Sequence, residues 1–203
     1  MFFNVDDLSP AQCYSTLTQC ILPRPVAWVL TENSNDTLNL APFSYFSGVS
    51  SEPPLVMLSV GKKNDGSLKD TRLNIIERSS FVIHIPHKEL AGAVTESARP
   101  LAHGESEITA QNLETVPFES FNLPRLKDAK IALACEKYRV EDITESQAMI
   151  LGLVKAFYIS DDLISDYGEG RISIDAQKLS PIARLGGNDY TALGEIITVE
   201  RPR

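Results

Sequence analysis

The chain has 203 residues, 43% hydrophobic and 23% charged, so a single domain over 1–203 with a packed core is expected. Its formal net charge of −8 argues against nucleic acid as a main partner, since phosphate backbones demand clustered Lys and Arg. No apolar run approaches the ~20 residues of a bilayer span, and Met1–Asp7 lacks the basic start and apolar core of a signal peptide, so a cytoplasmic protein with no membrane partner is expected.

In chain order, Ser9-Pro10 fits an N-cap followed by the first helical position, and residues 8–20 read as a short helix. Pro23-Arg24-Pro25 stops it and forces extended backbone. Val26–Thr31 is a short, β-rich apolar run that reads as a buried strand. A polar turn over 32–37 leads into Leu38–Phe46, which reads as the returning strand of a hairpin. After the break at Ser51-Glu52-Pro53-Pro54, Leu55–Val60 is a second buried strand, and Phe81–Ile85 is the next. Within that alternating pattern His84 falls on an exposed face. Residues 87–98 read as a helix, because Leu90, Ala91, Val94 and Ala98 share one side. The segment 99–128 is weakly patterned, an excursion with one helical turn. Ile131–Tyr138 and Ala148–Ile159 read as long strands, and Ile196–Glu200 as a last one. Many strands, few helices and no regular βαβ alternation predict a mainly β fold, a β-barrel with added helices.

The loop Asp65-Gly66-Ser67 and the stretch Lys69-Asp70-Thr71-Arg72-Leu73-Asn74 carry the strongest local signal. Ser67 serves as an N-cap, with Asp70 three residues on as a carboxylate variant of the capping box, and Leu68, Ile75 and Ile76 give the helix an apolar side. Lys69 then lies in the first turn, where free N–H groups and the positive end of the dipole already favour negative charge. A lysine there is electrostatically wasteful unless an anion neutralises it, and a phosphate held with the Ser67 or Thr71 hydroxyl would do so. The plain alternative is a surface lysine paired with Asp70 or Asp65.

Other chemistry is missing. Cys13, Cys20 and Cys135 form no C-x-x-C pair and are odd in number, so reduced thiols are the simplest reading, with Cys13 and Cys20 as small packing residues. His84, His87 and His103 have no metal-ligand spacing, and no metal is assigned. No G-x-G-x-x-G follows a strand, and there is neither a G-x-x-x-x-G-K-[ST] loop nor a G-x-S-x-G elbow. Leu185–Tyr190 is glycine-rich and reads as a turn, while Asp161-Asp162 and Glu141-Asp142 read as solvated acids. A chain with an anion site but no reactive constellation suits borrowed cofactor chemistry.

Four ordered motifs resemble those of the flavin reductase-like family. They are Pro23-Arg24-Pro25-Val26-Ala27-Trp28-Val29, Asn39-Leu40-Ala41-Pro42-Phe43-Ser44-Tyr45-Phe46, Glu52-Pro53-Pro54, and Lys69-Asp70-Thr71-x-x-Asn74. A late Arg184-Leu185-Gly186-Gly187-x-x-Tyr190 segment agrees, so the resemblance covers roughly residues 20–190. It implies an FMN-binding split barrel with Greek-key topology, a homodimer, and FMN near the dimer interface. Lys69 and Thr71, joined by Ser59 and Asn74, would bind the FMN phosphate. Ala41 to Phe46 would run beside the isoalloxazine ring, with Ser44 offering hydrogen bonds and Tyr45 and Phe46 stacking near it or filling the core. Trp28 would be core, and Asn39 a structural turn or strand-start residue. Arg24 would either address an anionic or electron-rich group or make a salt bridge at the barrel rim. Arg184 would contact cofactor or partner subunit. The implied activity is FMN-dependent reduction by NAD(P)H, with electrons passed to free flavin, a partner monooxygenase or another acceptor. An electron carrier or redox sensor, and a purely structural barrel, are the alternatives.

Overall fold

The computed structural model describes residues 1–203 except Glu169, Arg201 and Arg203. Helix α1 (Pro10–Cys20) opens with a full capping box. The Ser9 amide donates to Gln12 Oε1 at 2.8 Å, and the Gln12 amide to Ser9 Oγ at 3.3 Å. There follow β1 (Arg24–Pro25), β2 (Ala27–Glu32), β3 (Leu38–Phe43), β4 (Phe46–Ser51), β5 (Pro54–Gly61), α2 (Asp70–Arg78) and β6 (Ser80–His84). The next elements are the short α3 (Ala91–Glu96) and α4 (Glu107–Ala110), the two-residue strands β7 (Thr115–Val116) and β8 (Arg125–Leu126), and the long hairpin β9 (Ile131–Asp142) and β10 (Gln147–Ile159). The chain closes with the hairpin β11 (Ile164–Gly168) and β12 (Arg171–Ile174), one turn of helix α5 (Ala176–Leu179), and the hairpin β13 (Ala183–Gly186) and β14 (Asp189–Thr191). No helix among the described residues is long and apolar enough to cross a membrane.

Seven strands form one antiparallel sheet in the order β3-β2-β6-β9-β10-β5-β4. β6, β9 and β10, successive among the strands of this sheet, lie side by side, and β5, joined to β6 by the long connection that carries α2, lies beside β10, which makes a Greek key. The sheet is rolled. Inward residues of every strand from β2 to β10 in the sheet meet in one cluster, including Val29, Phe43, Leu58, Phe81, Leu133 and Ile150. The two edge strands, β3 and β4, are joined only by Ser44 and Tyr45, so the seam of the barrel lies at that corner.

A second core packs on the outside of β2, β3, β6 and β9. Trp28, Leu30, Leu40, Val82 and Ala134 are covered by Val94, Ile108, Phe118, Leu123 and Leu126. This explains why β2 reads as an unbroken apolar run: it is covered on both faces. Trp28 is fully buried, and its indole N–H donates to Ser97 Oγ at 2.8 Å.

Several expectations need correction. The single strand over Leu38–Phe46 is two, β3 and β4, because the chain turns from one sheet edge to the other at 44–45. His84 is buried, because the 99–128 segment covers that face of the sheet. Its Nδ1 lies 3.0 Å from the Trp28 carbonyl, and its Nε2 accepts the Leu126 N–H at 2.9 Å, which fixes a neutral ring protonated on Nδ1. That segment is thus more ordered than its sequence suggests, and Glu107 caps the exposed edge of β3 by accepting the Leu40 N–H at 2.8 Å. The helix expected over 87–98 is a 3-10 turn at Lys88–Leu90 followed by α3. Residues 196–200 form no strand, and Ile196, Ile197 and Val199 are exposed. Cys13 is half-buried and Cys20 exposed, so the two do not pack together as small core residues; all three thiols are free. Asp142 is an exposed acid that nevertheless pairs with the buried Arg72.

Candidate functional site

The barrel seam opens onto a pocket of about 430 Å³, the size class of small-ligand sites. One wall is the chain that crosses the seam, from Pro42 and Phe43 to Ser44 and Tyr45. The floor is Ser59 and Gly61 of β5 with Gln147 at the start of β10, directly opposite Gly61 in register. This floor is tied together. The Ser59 amide donates to the Tyr45 carbonyl at 2.9 Å, and Gln147 Nε2 donates to Ser59 Oγ at 2.6 Å. The far wall is the β13–β14 hairpin, through Arg184, Asn188 and Tyr190. Tyr190 takes a hydrogen bond from Thr95 Oγ1 at 3.2 Å and carries the Arg184 guanidinium 4.7 Å from its ring centre.

Lys69 lines this pocket from the start of α2. The helix begins two positions later than the sequence implies. Ser67 does not cap it, because its hydroxyl and amide are both taken by Asp65 Oδ1, at 2.6 and 2.9 Å, in a local Asx-type turn. The N-cap is Lys69 itself, with no side-chain hydrogen bond to the first-turn amides. Ile75 is buried, but Ile76 is exposed. Asp70 is occupied elsewhere, accepting from Lys63 at 2.9 Å and facing His103 Nδ1 at 2.7 Å. Lys69 therefore has no acid partner among the described residues. Its ammonium sits 5.6 Å over the Phe43 ring, and although it keeps contact with solvent, crowding protein atoms push its pKa below the ordinary lysine value. A partly desolvated cation with no acid partner beside uncapped helix amides is an arrangement that can hold an anion.

Thr71 and Asn74 are placed elsewhere, in a buried polar network behind the helix. Asn39 Nδ2 donates to both Thr31 Oγ1 and Thr71 Oγ1 at 3.0 Å. Asn74 Nδ2 donates to Thr31 Oγ1 at 3.0 Å and to Asn33 Oδ1 at 2.8 Å. These side chains lock α2 to β2 and β3 and so set where its N-terminus points. Neither Thr71 nor Asn74 lines the pocket with its side chain. Ala41 and Phe46 pack against the inner core. Arg24 is buried and makes no ion pair among the described residues. It donates instead to the carbonyls of Thr18, Ile21 and Leu185 and to Ser44 Oγ.

Of the ten residues singled out from the sequence, the structure thus brings Ser44, Tyr45, Ser59, Lys69 and Arg184 together around one pocket. Tyr14, Thr95, Gln147 and Asn188 also line it and carry no local sequence signal. They come from α1, α3, the start of β10 and the β13–β14 turn, far apart in the chain, and only the fold assembles them.

Comparison with known proteins agrees with this architecture. The profile described as "Flavin reductase like domain" matches residues 19–172. An uncharacterised protein of Halalkalibacterium halodurans is 37% identical over all of this chain and 97% of its own length. Among solved structures, nitrilotriacetate monooxygenase component B from Bacillus cereus has a TM-score of 0.89 and 36% identity, with 98% of each chain covered. The 2-nitrobenzoate 2-nitroreductase of Pseudomonas fluorescens has the same TM-score and 29% identity, over 100% of this chain and 96% of the other.

Proposed function

This chain belongs to the flavin reductase-like family, and we propose that it is an FMN-dependent oxidoreductase that takes reducing equivalents from NAD(P)H and passes them to free flavin, a partner monooxygenase or another acceptor. The observation that carries this reading is Lys69, without an acid partner among the described residues, at the uncapped start of α2 and lining a pocket large enough for a flavin. When bound, FMN supplies the hydride and electron chemistry; the protein supplies binding, orientation and polarity.

The donor set fits FMN part by part. Lys69 and the first amides of α2 hold the phosphate end. The segment 42–45 borders the ring, with the Ser44 hydroxyl and nearby backbone groups facing its polar edge. Ser59 is fixed by Gln147 and frames the floor beneath. The hairpin carrying Arg184 and Tyr190 faces the seam from the other side and leaves the pocket open, so that a nicotinamide can approach the ring directly. No dinucleotide fold is needed for that approach. In this proposal the 203 residues are one domain that works as a homodimer in the cytoplasm.

The similarity to a monooxygenase component B supports a partner oxygenase as acceptor, and the similarity to a nitroreductase supports direct transfer to a small organic acceptor. The deciding test is anaerobic addition of NADH, then NADPH, to protein carrying FMN. Bleaching of the flavin absorbance supports a reductase and identifies its donor. A flavin that stays oxidised with both nucleotides refutes reductase turnover and leaves an electron carrier or sensor.

A further inference from the structure

Arg24 is an unusual buried cation. It is 4% exposed and faces no carboxylate among the described residues; it donates to three carbonyls and one hydroxyl. Burying a guanidinium is costly unless its geometry is used. Here Nη1 is held by the carbonyls of Thr18, Ile21 at 2.9 Å and Leu185 at 3.2 Å, which tie the end of α1 to the β13–β14 hairpin. The backbone agrees, since β1 pairs with β13 and places Arg24 opposite Arg184. With its head fixed this way, Nε–H donates to Ser44 Oγ at 3.4 Å. Proline on either side holds the backbone that aims it.

This contact has a directional consequence. A hydroxyl has one proton and two lone pairs. When Nε–H occupies a lone pair of Ser44, the hydroxyl's own proton is left to point elsewhere, and Ser44 lines the pocket. The neighbouring positive charge also polarises the O–H and makes it a better donor. We propose that Arg24 is a positioning residue that turns the Ser44 hydroxyl into a fixed hydrogen-bond donor toward the flavin ring, and that couples this donor to the hairpin forming the opposite wall. The inference rests on the FMN reading of the pocket. It replaces both roles expected for Arg24, anion ligand and rim salt bridge. A donor at the polar edge of the ring stabilises the reduced, more electron-rich flavin over the oxidised form. Arg24 therefore makes bound FMN easier to reduce.

The test is a double-mutant cycle with Arg24→Gln, Ser44→Ala and the pair, read out by the midpoint potential and visible spectrum of bound FMN and by its Kd. Each single variant is expected to lower the midpoint potential, shift the spectrum toward that of free FMN and raise Kd about fivefold, the scale of one hydrogen bond. In the Ser44→Ala background, Arg24→Gln is expected to move the potential and spectrum no further. Arg24→Lys, which keeps the charge but not the fork, should recover part of the shift. Equal shifts from Arg24→Gln with and without Ser44, or none in either, overturn the inference. If Arg24→Gln does not fold, the same cycle run with Arg24→Lys reads the coupling. Wild-type protein that binds no FMN overturns the inference too, but is recognised in the control as failure of the flavin reading itself.

Discussion

Replacing Lys69 by Ala separates ligand binding from folding more cleanly than any other change in this protein. The folded chain uses Lys69 very little. It has no acid partner among the described residues, and its contact with Phe43 at 5.6 Å is a solvent-exposed cation–π pair worth about 0.5 kcal/mol. Loss of that contact should lower Tm by only ~1–2 °C in a chain of this size. A bound phosphate, by contrast, loses a charge-assisted hydrogen bond, about 1–3 kcal/mol, or roughly five- to a hundredfold in Kd. Titration of flavin fluorescence against wild-type and variant protein measures this directly. Added salt should weaken the wild type more than the variant, because the variant has lost the charge that salt screens. The pH dependence has a definite sign. Partial desolvation by neighbouring protein atoms depresses the Lys69 pKa, so deprotonation begins below the usual lysine range. FMN affinity should therefore fall as pH rises through the alkaline range in wild type, and this fall should be absent in Lys69→Ala. An unchanged Kd in the variant, or the same alkaline fall in both proteins, refutes the phosphate assignment.

Three further outcomes test the frame that holds the site. His84 is pushed down to about 4 by burial, from an ordinary value of 6.5, so the unfolded chain binds a proton in that window that the folded chain refuses. Its contribution is complete above pH ~6.5 and is lost toward pH 4, about 3 kcal/mol in total; urea midpoints between pH 7 and 4.5 should follow this slope, and His84→Gln should flatten it. Asn39→Ala strands the buried Thr71 hydroxyl and removes one of the two donors to Thr31, and should cost about 1–3 kcal/mol in chemical denaturation while also weakening FMN, since it frees the start of α2; no measurable loss contradicts the network. Gly152→Ala puts a Cβ 2.4 Å from Phe81 Cζ, and the resulting overpacking should cost about 1–3 kcal/mol, whereas Gly48→Ala, with open space around it, should be nearly neutral.

Much of the barrel is legible in the sequence because its strands are buried and therefore continuous. Val26–Thr31, Leu55–Val60 and Phe81–Ile85 all read as strands from apolar, β-rich runs, and the ladder contains all three. The corner at Ser44-Tyr45 does not read, because apolar residues on both sides conceal a change of sheet edge. His84 misleads for a related reason. Alternation along one strand cannot reveal that Ile108, Phe118, Leu123 and Leu126, spread over a segment with little pattern of its own, fold back over it. At the site, Lys69 is legible because helix electrostatics are local. The exact cap is not, because Asp65 competes for the Ser67 hydroxyl. Thr71 and Asn74 belong to the same motif as Lys69, yet their partners Thr31, Asn33 and Asn39 lie 32 to 43 residues earlier, and only the packed fold shows that they brace the helix. Arg24 is the same kind of case: its neighbouring prolines announce a constrained residue, but its acceptors come from α1, the seam and the final hairpin.

The most direct test of the account is a crystal structure of the protein with FMN. The phosphate is expected within hydrogen-bond distance of Lys69 Nζ at the start of α2, and the ring along residues 42–45 with its polar edge toward Ser44. An FMN whose phosphate lies away from Lys69, or whose ring lies outside the seam, contradicts it.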